Sequence, residues 1–500
     1  MSNLTRRRFL QSAGGLSFLA LTPVARNLFA APQSAKNLPL FTAMPYVQPG
    51  ANSALLEGAE SVIIAWQTEA KSAQFRCEFG PTEKYGRTAS IERVKVWAGE
   101  AIPRFHYAVK PSNLKLGTRY FYRVFCNGEL LIAGYFTTRQ PRGARIRFAA
   151  FGDNSFGGAP DRAIAFQAYR IHPDFIMNTG DNVYNRGLNR EYEDHFFPIY
   201  NADRAAIDVG APLLRSVPFY TVLANHDVTR RDARGRSCAD FDADRDALAY
   251  YTAMHLPCNG PTPPIPTPIV GASQRLEQFK AAAANRYPRM ANYSFDYGDA
   301  HFLCLDSNIY LDPSDKVLTN WIEHDLKSTD AIWKFVTYHH PAYNIGHEHY
   351  NEQHMRILSP IFERHGVDFV LHGHEHNYQR TRPFRFAPGD AKLVHNVNSS
   401  KRLIPGKFSI DTHFDGANHT KPRGVIYLTT GAGGARLYDT DYTGDRSKWL
   451  HEQDDNAPYV AQVFADRHSL TVFEIAGQSL DMKQVDETGK EIDRLRVTKS

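Results

Sequence analysis

The chain has 500 residues, which is enough for two or more domains. Its composition, 42% hydrophobic, 12% aromatic and 22% charged, is that of a globular protein and excludes a disordered or fibrous chain. The net charge of +5 depends on four arginines among the first 35 residues, and without them it is +1. A near-neutral chain lacks the electrostatic footprint of a nucleic-acid-binding protein, so we expect no nucleic-acid partner.

Residues 1–35 have the order of an export signal. Residues 6–8 are all arginine, residues 9–25 are uncharged, and small residues follow around Ala30. The uncharged run has only 17 residues, several of them polar, and no later segment is more apolar, so we expect no membrane span in the mature chain. The paired arginines resemble a bacterial twin-arginine signal, which implies export machinery as a partner of the precursor and a periplasmic or secreted location.

Residues 41–143 contain short β-type runs separated by turn residues, without helical periodicity. The runs are residues 61–66, 74–79, 106–109, 119–125 and 134–136. This pattern predicts a small antiparallel β sandwich. Tyr120, at the end of Leu-Lys-Leu-Gly-Thr-Arg-Tyr, resembles the tyrosine corner of immunoglobulin and fibronectin type III domains, which implies a fibronectin-like sandwich.

Residues 146–500 alternate apolar runs with longer, partly helical stretches, which predicts an α/β layered domain. Two inserts interrupt this domain, at residues 228–292 and 384–422, and both are expected to be irregular. Within the first insert, residues 240–246 imitate the start of a calcium loop. Because Arg245 occupies the position that requires glycine, we expect a solvated charged loop instead.

Five β-type runs of the second domain each end in side chains that can bind metals. The runs are residues 146–151, 175–177, 217–223, 333–336 and 367–371. The side chains that follow them, in chain order, are Asp153; Asp181 and Tyr184; Asn225, His226 and Asp227; His339; and His374 and His376. Nine of the 21 histidines fall between residues 339 and 376. Ligands bind beyond the carboxyl ends of strands in open α/β sheets, so we expect these loops to converge on one site.

This ordered set of motifs resembles the calcineurin-like metallophosphoesterases, and specifically the purple acid phosphatases. The resemblance includes the N-terminal sandwich, Tyr-Ser-Phe-Asp-Tyr-Gly at residues 293–298 and Tyr-Leu-Thr-Thr-Gly-Ala-Gly-Gly at residues 427–434. It implies a β sandwich followed by a layered αββα metallophosphoesterase domain. The ligands it implies are Asp153, Tyr184 and His376 for one metal, Asn225, His339 and His374 for the other, and Asp181 as a bridge between them. Ser155 and Ala224 depart from the usual family residues but remove no ligand.

The resemblance implies a secreted acid phosphatase, a hydrolase of small-molecule phosphate monoesters in which metal-bound hydroxide attacks phosphorus. Many relatives place a histidine two residues after the first aspartate, where this chain has Ser155, and Tyr184 is the nearest residue that can supply the missing ligand. A phenol ionises near neutral pH only beside a strongly charged ion, so Fe(III) is expected at the Tyr184 site. A divalent ion, iron, zinc or manganese, is expected at the Asn225 site.

Four further residues are expected to act around the metals. In the family pattern His226 contacts the substrate, where it can hydrogen-bond the phosphoryl oxygen or protonate the leaving group. Asp227 is expected to orient His226. His347 and His349 resemble the outer histidines that line the pocket.

Three alternative functions differ in the features they require. A phosphodiesterase could use the same metals, because the shape of the loops decides whether a second ester group fits. A non-catalytic surface protein, whose first domain binds a partner, would have lost metal ligands, whereas all seven are present. The exported iron and calcium phosphodiesterases would require a cysteine near Asp153 or Asp181, and none occurs there.

We predict that replacing Arg6 and Arg7 by lysine will leave precursor in the cytoplasm, because the twin-arginine pathway reads the arginine pair. Cell fractionation of a bacterial host expressing each version would measure this. Replacing Arg26 by lysine is the matched control and should leave export unchanged. Equal export of the Arg6/Arg7 variant would contradict the twin-arginine interpretation.

Overall fold

A computed structural model describes residues 38–99, 102–228, 230–231, 237–389, 402–449 and 458–499. The leader expected over residues 1–35 lies outside the described residues.

The N-terminal region forms two four-stranded sheets, with strand orders β1-β2-β6-β5 and β4-β3-β7-β8. Its strands are β1 (Phe41–Gln48), β2 (Ile63–Glu69), β3 (Phe75–Gly80), β4 (Arg87–Thr88), β5 (Ile91–Trp97), β6 (Pro103–Val109), β7 (Arg119–Cys126) and β8 (Glu129–Thr137). All five predicted runs overlap observed strands.

The sandwich has its own core and the predicted corner. Alternate residues of β7, Tyr120, Tyr122 and Val124, are buried between the two sheets, as the two-residue period of a strand requires. The Tyr120 hydroxyl accepts a hydrogen bond of 3.0 Å from the backbone amide of Lys115, five residues upstream. This bond is the defining contact of a tyrosine corner.

The second region contains two larger sheets, with orders β11-β10-β9-β24-β25-β26 and β15-β16-β17-β18-β22-β19-β23. Two short sheets, β12-β13-β14 and β20-β21, belong to the inserts. The strands are β9 (Ile146–Phe151), β10 (Phe175–Asn178), β11 (Phe219–Thr221), β12 (Arg230–Arg231), β13 (Ser237–Asp240), β14 (Ile269–Val270), β15 (Tyr293–Tyr297), β16 (Ala300–Cys304), β17 (Trp333–Thr337), β18 (Phe369–His372), β19 (Tyr378–Thr381), β20 (Phe384–Pro388), β21 (Gly406–Ile410), β22 (Ile426–Thr430), β23 (Val460–Phe464), β24 (Ser469–Ala476), β25 (Ser479–Asp486) and β26 (Glu491–Thr498). The helices are α1 (Ala159–Arg170), α2 (Asn189–Glu191), α3 (Phe197–Tyr200), α4 (Tyr250–Ala253), α5 (Ser273–Ala283), α6 (Arg286–Arg289), α7 (Lys316–Ser328) and α8 (Ser359–Arg364).

The two large sheets pack face to face and are covered by helices on their outer sides. Phe148 of β9 stacks on Phe175 of β10 and meets Phe302 of β16 edge to face, with ring centroids 4.9 and 5.2 Å apart. In β16 the next residue, Leu303, points to the opposite side, into the cluster that contains Leu318 of α7. Strands buried on both faces have the continuous apolar runs seen in the sequence. The predicted αββα layering is confirmed.

Parallel pairing places the carboxyl ends of the central strands at one edge. β9, β10 and β11 are parallel neighbours in the first sheet, and β16, β17, β18 and β22 are parallel neighbours in the second. The five loops that carry the predicted ligands follow β9, β10, β11, β17 and β18. All five therefore open at the same edge of the paired sheets.

The first insert is more ordered than its sequence predicts. It contains α4, α5 and the small sheet β12-β13-β14, and Phe279 of α5 packs on Phe241 with ring centroids 4.7 Å apart. The expectation of an irregular loop is wrong there, because the insert brings apolar residues of its own to the main core. The second insert forms the hairpin β20-β21 in its described part.

The expectation of a solvated loop at residues 240–246 is also only partly correct. Asp242 is exposed, but Asp244 and Asp246 are buried. Asp244 binds the guanidinium groups of Arg186 at 2.7 Å and Arg230 at 2.9 Å. These ion pairs replace the water that the acidic sequence led us to expect.

None of the helices among the described residues is both long and apolar enough to cross a lipid bilayer.

Arg139 joins the two regions at a buried point. Its guanidinium binds the Glu60 carboxylate with two hydrogen bonds of 2.7 and 3.0 Å and donates to the carbonyl of Asp296 in β15 at 3.0 Å. Both side chains are almost completely buried. A buried ion pair tolerates loss of one partner poorly, because the other charge remains uncompensated.

We predict that Arg139→Ala will lower the free energy of unfolding by about 3–5 kcal/mol, measured by urea denaturation, because Glu60 stays buried without its counter-charge. Arg364→Ala is the matched control, since the side chains of Arg364 and its partner Glu323 are both largely exposed. The control should change stability by about 1 kcal/mol or less. Equal effects of the two substitutions would contradict the assigned role of the buried pair.

Candidate metal centre

The structure brings the predicted ligands together at the common edge of the two sheets. Asp153 follows β9 and Asp181 follows β10, and both carboxylates are fully buried. The backbone amide of Asp153 donates to the Gly180 carbonyl at 3.1 Å, so the first two loops are bonded to each other. The backbone amide of His374, after β18, donates to both carboxylate oxygens of Asp153 at 2.9 Å. The two sheets therefore meet through Asp153.

One group of donors consists of Asp153, Tyr184 and His376. The Tyr184 hydroxyl lies 3.2 Å from Asp153 Oδ1 and 3.2 Å from His376 Nε2. His376 Nε2 lies 3.4 Å from the same oxygen of Asp153. Three donor atoms of different residues, each within 3.4 Å of the others, can bind one small cation.

A second group consists of Asp181, His339 and His374. One ligand atom from each lies within 4.8 Å of the other two, and His339 Nε2 is 3.3 Å from Asp181 Oδ2. Asn225 begins the turn Asn225–Val228, which is bonded to this group because the amide of His226 donates to Asp181 Oδ1 at 3.1 Å. Asp181 thus has one oxygen bonded to protein and one directed at His339.

Three buried atoms of this second group lack any hydrogen-bond partner among the described residues. They are Asp181 Oδ2, Asn225 Oδ1 and His339 Nε2. Buried polar atoms in native proteins are almost always paired, so unpaired donors that converge require an explanation. A bound cation supplies the missing partner for all three, and carboxylate, amide oxygen and imidazole are all suitable metal ligands. The residues present therefore fit a metal centre.

Backbone carbonyls fix the orientation of two of the histidines. His339 Nδ1 donates to the Thr179 carbonyl at 2.9 Å, and His376 Nδ1 donates to the Arg436 carbonyl at 2.7 Å. When each ring is neutral, with its proton on Nδ1, its Nε2 has a free lone pair directed into the site. Metal-binding histidines usually have a partner of this kind on the other ring nitrogen.

The pKa values record strong negative charge in the site. Burial alone would lower the pKa of His339, but the carboxylates of Asp181 and Asp153 raise it to about 9. Burial raises the pKa of the Tyr184 phenol well above its usual value, and the same two carboxylates raise it further. The two carboxylates therefore lack compensating positive charge, which a multivalent cation would supply.

The ligand loops are under backbone strain and leave no space for extra atoms. Asp153, Asp181 and His374 all have positive φ, between 51° and 67°, although none is glycine. A Cβ on Gly373 would lie 2.4 Å from Asp153 Oδ2, which explains the glycine before His374. Ala224 is accommodated where relatives have glycine, because it packs against Gly180, which has no side chain.

The predicted outer residues differ in their relation to the donors. The His226 ring is partly exposed and lies against Tyr184, with ring centroids 4.4 Å apart. The His349 ring packs against His374 with centroids 3.7 Å apart and an angle of 35° between the ring planes. His347 is exposed, and its backbone amide donates to Asp439 at 2.7 Å. His226 and His349 therefore border the donors, whereas His347 lies at the rim.

The orienting contact expected from Asp227 is made by another group. His226 Nδ1 donates to the carbonyl of Asn185 at 2.7 Å. The Asp227 carboxylate accepts a hydrogen bond of 3.0 Å from the amide of Ala224 and so holds the turn rather than the imidazole ring. The expectation fails because a side chain adjacent in sequence points away from its neighbour in this tight turn.

Two side chains beside the site were not found from the sequence. Tyr438 stacks on His376 with ring centroids 4.1 Å apart, and Glu352 lies 3.0 Å from His374 Nε2. Tyr438 lies four residues after the glycine-rich motif at residues 427–434, which is the only sequence motif near it. Glu352 belongs to no motif, since its spacing from the other residues of the site depends on the course of a loop.

A family model described as calcineurin-like phosphoesterase matches residues 146–378, just under half of the chain. Purple acid phosphatase 17 of Arabidopsis thaliana is 27% identical over 265 residues, which are 51% of this chain and 69% of that protein. Tartrate-resistant acid phosphatase type 5 of Rattus norvegicus is 24% identical over 47% of this chain and 67% of its own length.

Among solved structures, the purple acid phosphatase PPD1 of yellow lupin has a TM-score of 0.62 at 16% identity and covers 91% of this chain and 74% of its own. PhoD has a TM-score of 0.53 at 13% identity, with 92% of this chain and 94% of its own covered. Likenesses at such low identity show the fold alone. The family match identifies residues 146–378 as a calcineurin-like phosphoesterase domain, and with the named relatives it confirms the predicted class of enzyme, a phosphoesterase.

We predict that the variants His374→Ala and Asn225→Ala will each lose one bound metal and have no turnover, because each lacks a donor of the second group. Metal analysis of purified protein, with turnover of a nitrophenyl monoester, measures both effects. His226→Ala is the matched control. It should keep both metals and lose about 10²–10⁴-fold in rate, the usual contribution of a general acid. Loss of metal from the His226 variant would show that its assigned role is wrong.

Proposed function

We propose that this protein is an exported acid phosphatase that hydrolyses small-molecule phosphate monoesters with two metal ions. The observation that carries the proposal is the pair of donor groups, one around Asp153 and one around Asp181, the second of which has three buried donors without partners. The matches to purple acid phosphatase 17 and tartrate-resistant acid phosphatase type 5 support the same activity. The arginine pair of the leader supports a periplasmic or secreted location.

Seven residues are proposed as ligands. Asp153, Tyr184 and His376 would hold Fe(III), Asn225, His339 and His374 would hold a divalent iron, zinc or manganese ion, and Asp181 would contact both. When bound, such a pair supplies an activated water and Lewis-acid stabilisation of the phosphoryl oxygens. The remaining chemistry belongs to the protein side chains.

The choice of ligands leaves the site positive. A trivalent and a divalent ion outweigh the three negative charges of Asp153, Asp181 and the Tyr184 phenolate. Asn225 contributes a neutral oxygen where another aspartate would cancel part of the surplus. A phosphate dianion is therefore attracted to the site, and the protein needs no cluster of lysines or arginines to bind it.

His226 is proposed as the residue that assists the leaving group. Its Nδ1 proton is donated to the Asn185 carbonyl, so Nε2 is the nitrogen that remains for the substrate. In the proposal this nitrogen, which lies 3.8 Å from Asp181 Oδ2, carries a second proton. From there the proton can pass to the departing alkoxide as the ester bond breaks.

The other outer residues have lesser roles in the proposal. Asp227 holds the turn that carries Asn225 and His226 through its bond to Ala224. His349 lies over His374, and His347 lies farther out, where each can contact the part of the substrate beyond the phosphoryl group. These positions agree with a lining role and require no bond to a metal.

We predict that the purified protein will hydrolyse p-nitrophenyl phosphate with a much higher kcat/KM than bis(p-nitrophenyl) phosphate. The monoester dianion carries the charge that the surplus of positive charge attracts, whereas the diester has one negative charge. Steady-state assays with both esters on one metal-analysed sample measure the ratio. A preference for the diester would replace the proposal with the phosphodiesterase alternative.

We predict that the oxidised protein will be coloured and that Tyr184→Phe will remove the colour, because a phenolate bound to Fe(III) absorbs visible light. Tyr438→Phe is the matched control, since this tyrosine stacks on His376 but is not a proposed ligand. The Tyr438→Phe variant should keep the colour of the wild type. Visible spectra and iron analysis are the measurements, and a colourless, iron-free and fully active wild-type protein would contradict the assignment of Tyr184.

A further inference from the structure

Glu352 occupies a fixed position beside the second group of donors. The backbone around it is paired with Arg402, through the bonds Gln353 N to Arg402 O at 3.1 Å and Arg402 N to Asn351 O at 2.8 Å. Its side chain is 28% exposed and points toward His374. His374 Nε2 lies 3.0 Å from Glu352 Oε2, which is hydrogen-bond distance. The carboxylate is therefore held against the imidazole by a backbone that does not depend on the side chain.

The contact of His374 differs from those of the other histidines of the site. His339 and His376 each donate from Nδ1 to a backbone carbonyl and present Nε2 to the donors. His374 has its partner on Nε2 instead, and that partner is a carboxylate. A neutral imidazole carries one proton, so a proton held on Nε2 leaves the lone pair on Nδ1.

We propose that Glu352 is a positioning residue that accepts the Nε2 proton of His374 and so makes Nδ1 the nitrogen that binds the second metal. The inference rests on the proposed two-metal function, since it concerns the same site. A carboxylate partner also makes the imidazole a stronger ligand than a carbonyl partner does. Among His339, His374 and His376, only His374 has a side chain as this partner, so a substitution of that partner can change how strongly the imidazole binds a metal without altering the backbone.

Glu352 also connects His374 to the outer rim. Its other oxygen, Oε1, lies 3.8 Å from His349 Nδ1, and the His349 ring packs against His374 with centroids 3.7 Å apart. A single carboxylate therefore faces one proposed ligand and one residue of the pocket wall. Loss of the carboxylate would remove one contact from each ring.

A different role for Glu352 would be that of a metal ligand. His340, Glu352 and His374 also offer three ligand atoms within 4.8 Å of one another. In that case His374 Nε2 would bind the ion and could not carry the proton that it donates to Glu352. The two roles predict different effects of a glutamine, because an amide oxygen accepts a hydrogen bond in the place of the carboxylate but is a weaker metal ligand.

The test is zinc titration of chelator-treated full-length protein against a competing chromophoric chelator. Glu352→Ala should weaken the second zinc by about 10–100-fold and leave the first unchanged, because loss of such a partner has that effect on metal affinity. Glu352→Gln should restore most of the affinity. Glu348→Ala is the matched control, because Glu348 is an exposed glutamate four residues earlier, and it should titrate like the wild type.

Each other outcome overturns a defined statement. If the wild type binds two zinc ions and Glu352→Ala binds both with unchanged affinity, the positioning role is wrong and the proposed function stands. If the wild type binds a third zinc that both Glu352 variants lose, Glu352 is a ligand rather than a positioning residue. If the wild type binds fewer than two, the proposed function itself fails. A circular dichroism spectrum equal to that of the wild type excludes misfolding of the variants as the cause.

Discussion

Two buried carboxylates, Asp153 and Asp181, determine how the rest of the site is built. A carboxylate removed from water must be compensated by hydrogen bonds or positive charge. The strand edge supplies only part of this, through the backbone amides of His374 and His226. Burial raises the pKa of Tyr184, and the remaining negative charge raises it further; the same charge raises the pKa of His339 against the effect of burial and attracts cations. The strained backbone at both aspartates is maintained because the two sheets, packed through Phe148 and its neighbours, hold the loops from both sides.

The partners of the imidazole rings have as much influence as the ligands themselves. A histidine can bind a metal through either nitrogen, and the partner of the other nitrogen decides which one is available. Backbone carbonyls make this choice for His339, His376 and His226, so the choice is built into the fold. For His374 the choice depends on the side chain of Glu352. The site therefore combines contacts that only a change of fold could remove with one that a single substitution can remove.

Much of this arrangement could be predicted from the sequence, for physical reasons. Apolar runs that end in Asp, Asn or His mark buried parallel strands and their functional edge, so the layered fold and the convergence of the donor loops followed directly. The hydrogen-bond partners of those donors could not be predicted from the sequence. Glu352 reaches His374 through the path of a loop, and the carbonyl of Asn185, which orients His226, has no signature because every residue has a carbonyl. The buried state of Asp244 was missed because its arginine partners are more than ten residues away along the chain.

The ion pairs of Asp244 connect the first insert to the loops that carry Tyr184 and His226. Arg186 lies two residues after Tyr184, and Arg230 lies four residues after His226, and both bind the same carboxylate. The carboxylate is buried while the two arginine side chains are partly exposed, so the pairs are screened by solvent on one side only. The donors at the strand ends are positioned by the sheets, whereas Tyr184 and His226 lie farther out on loops. The insert therefore fixes the two side chains whose positions the strands alone do not determine.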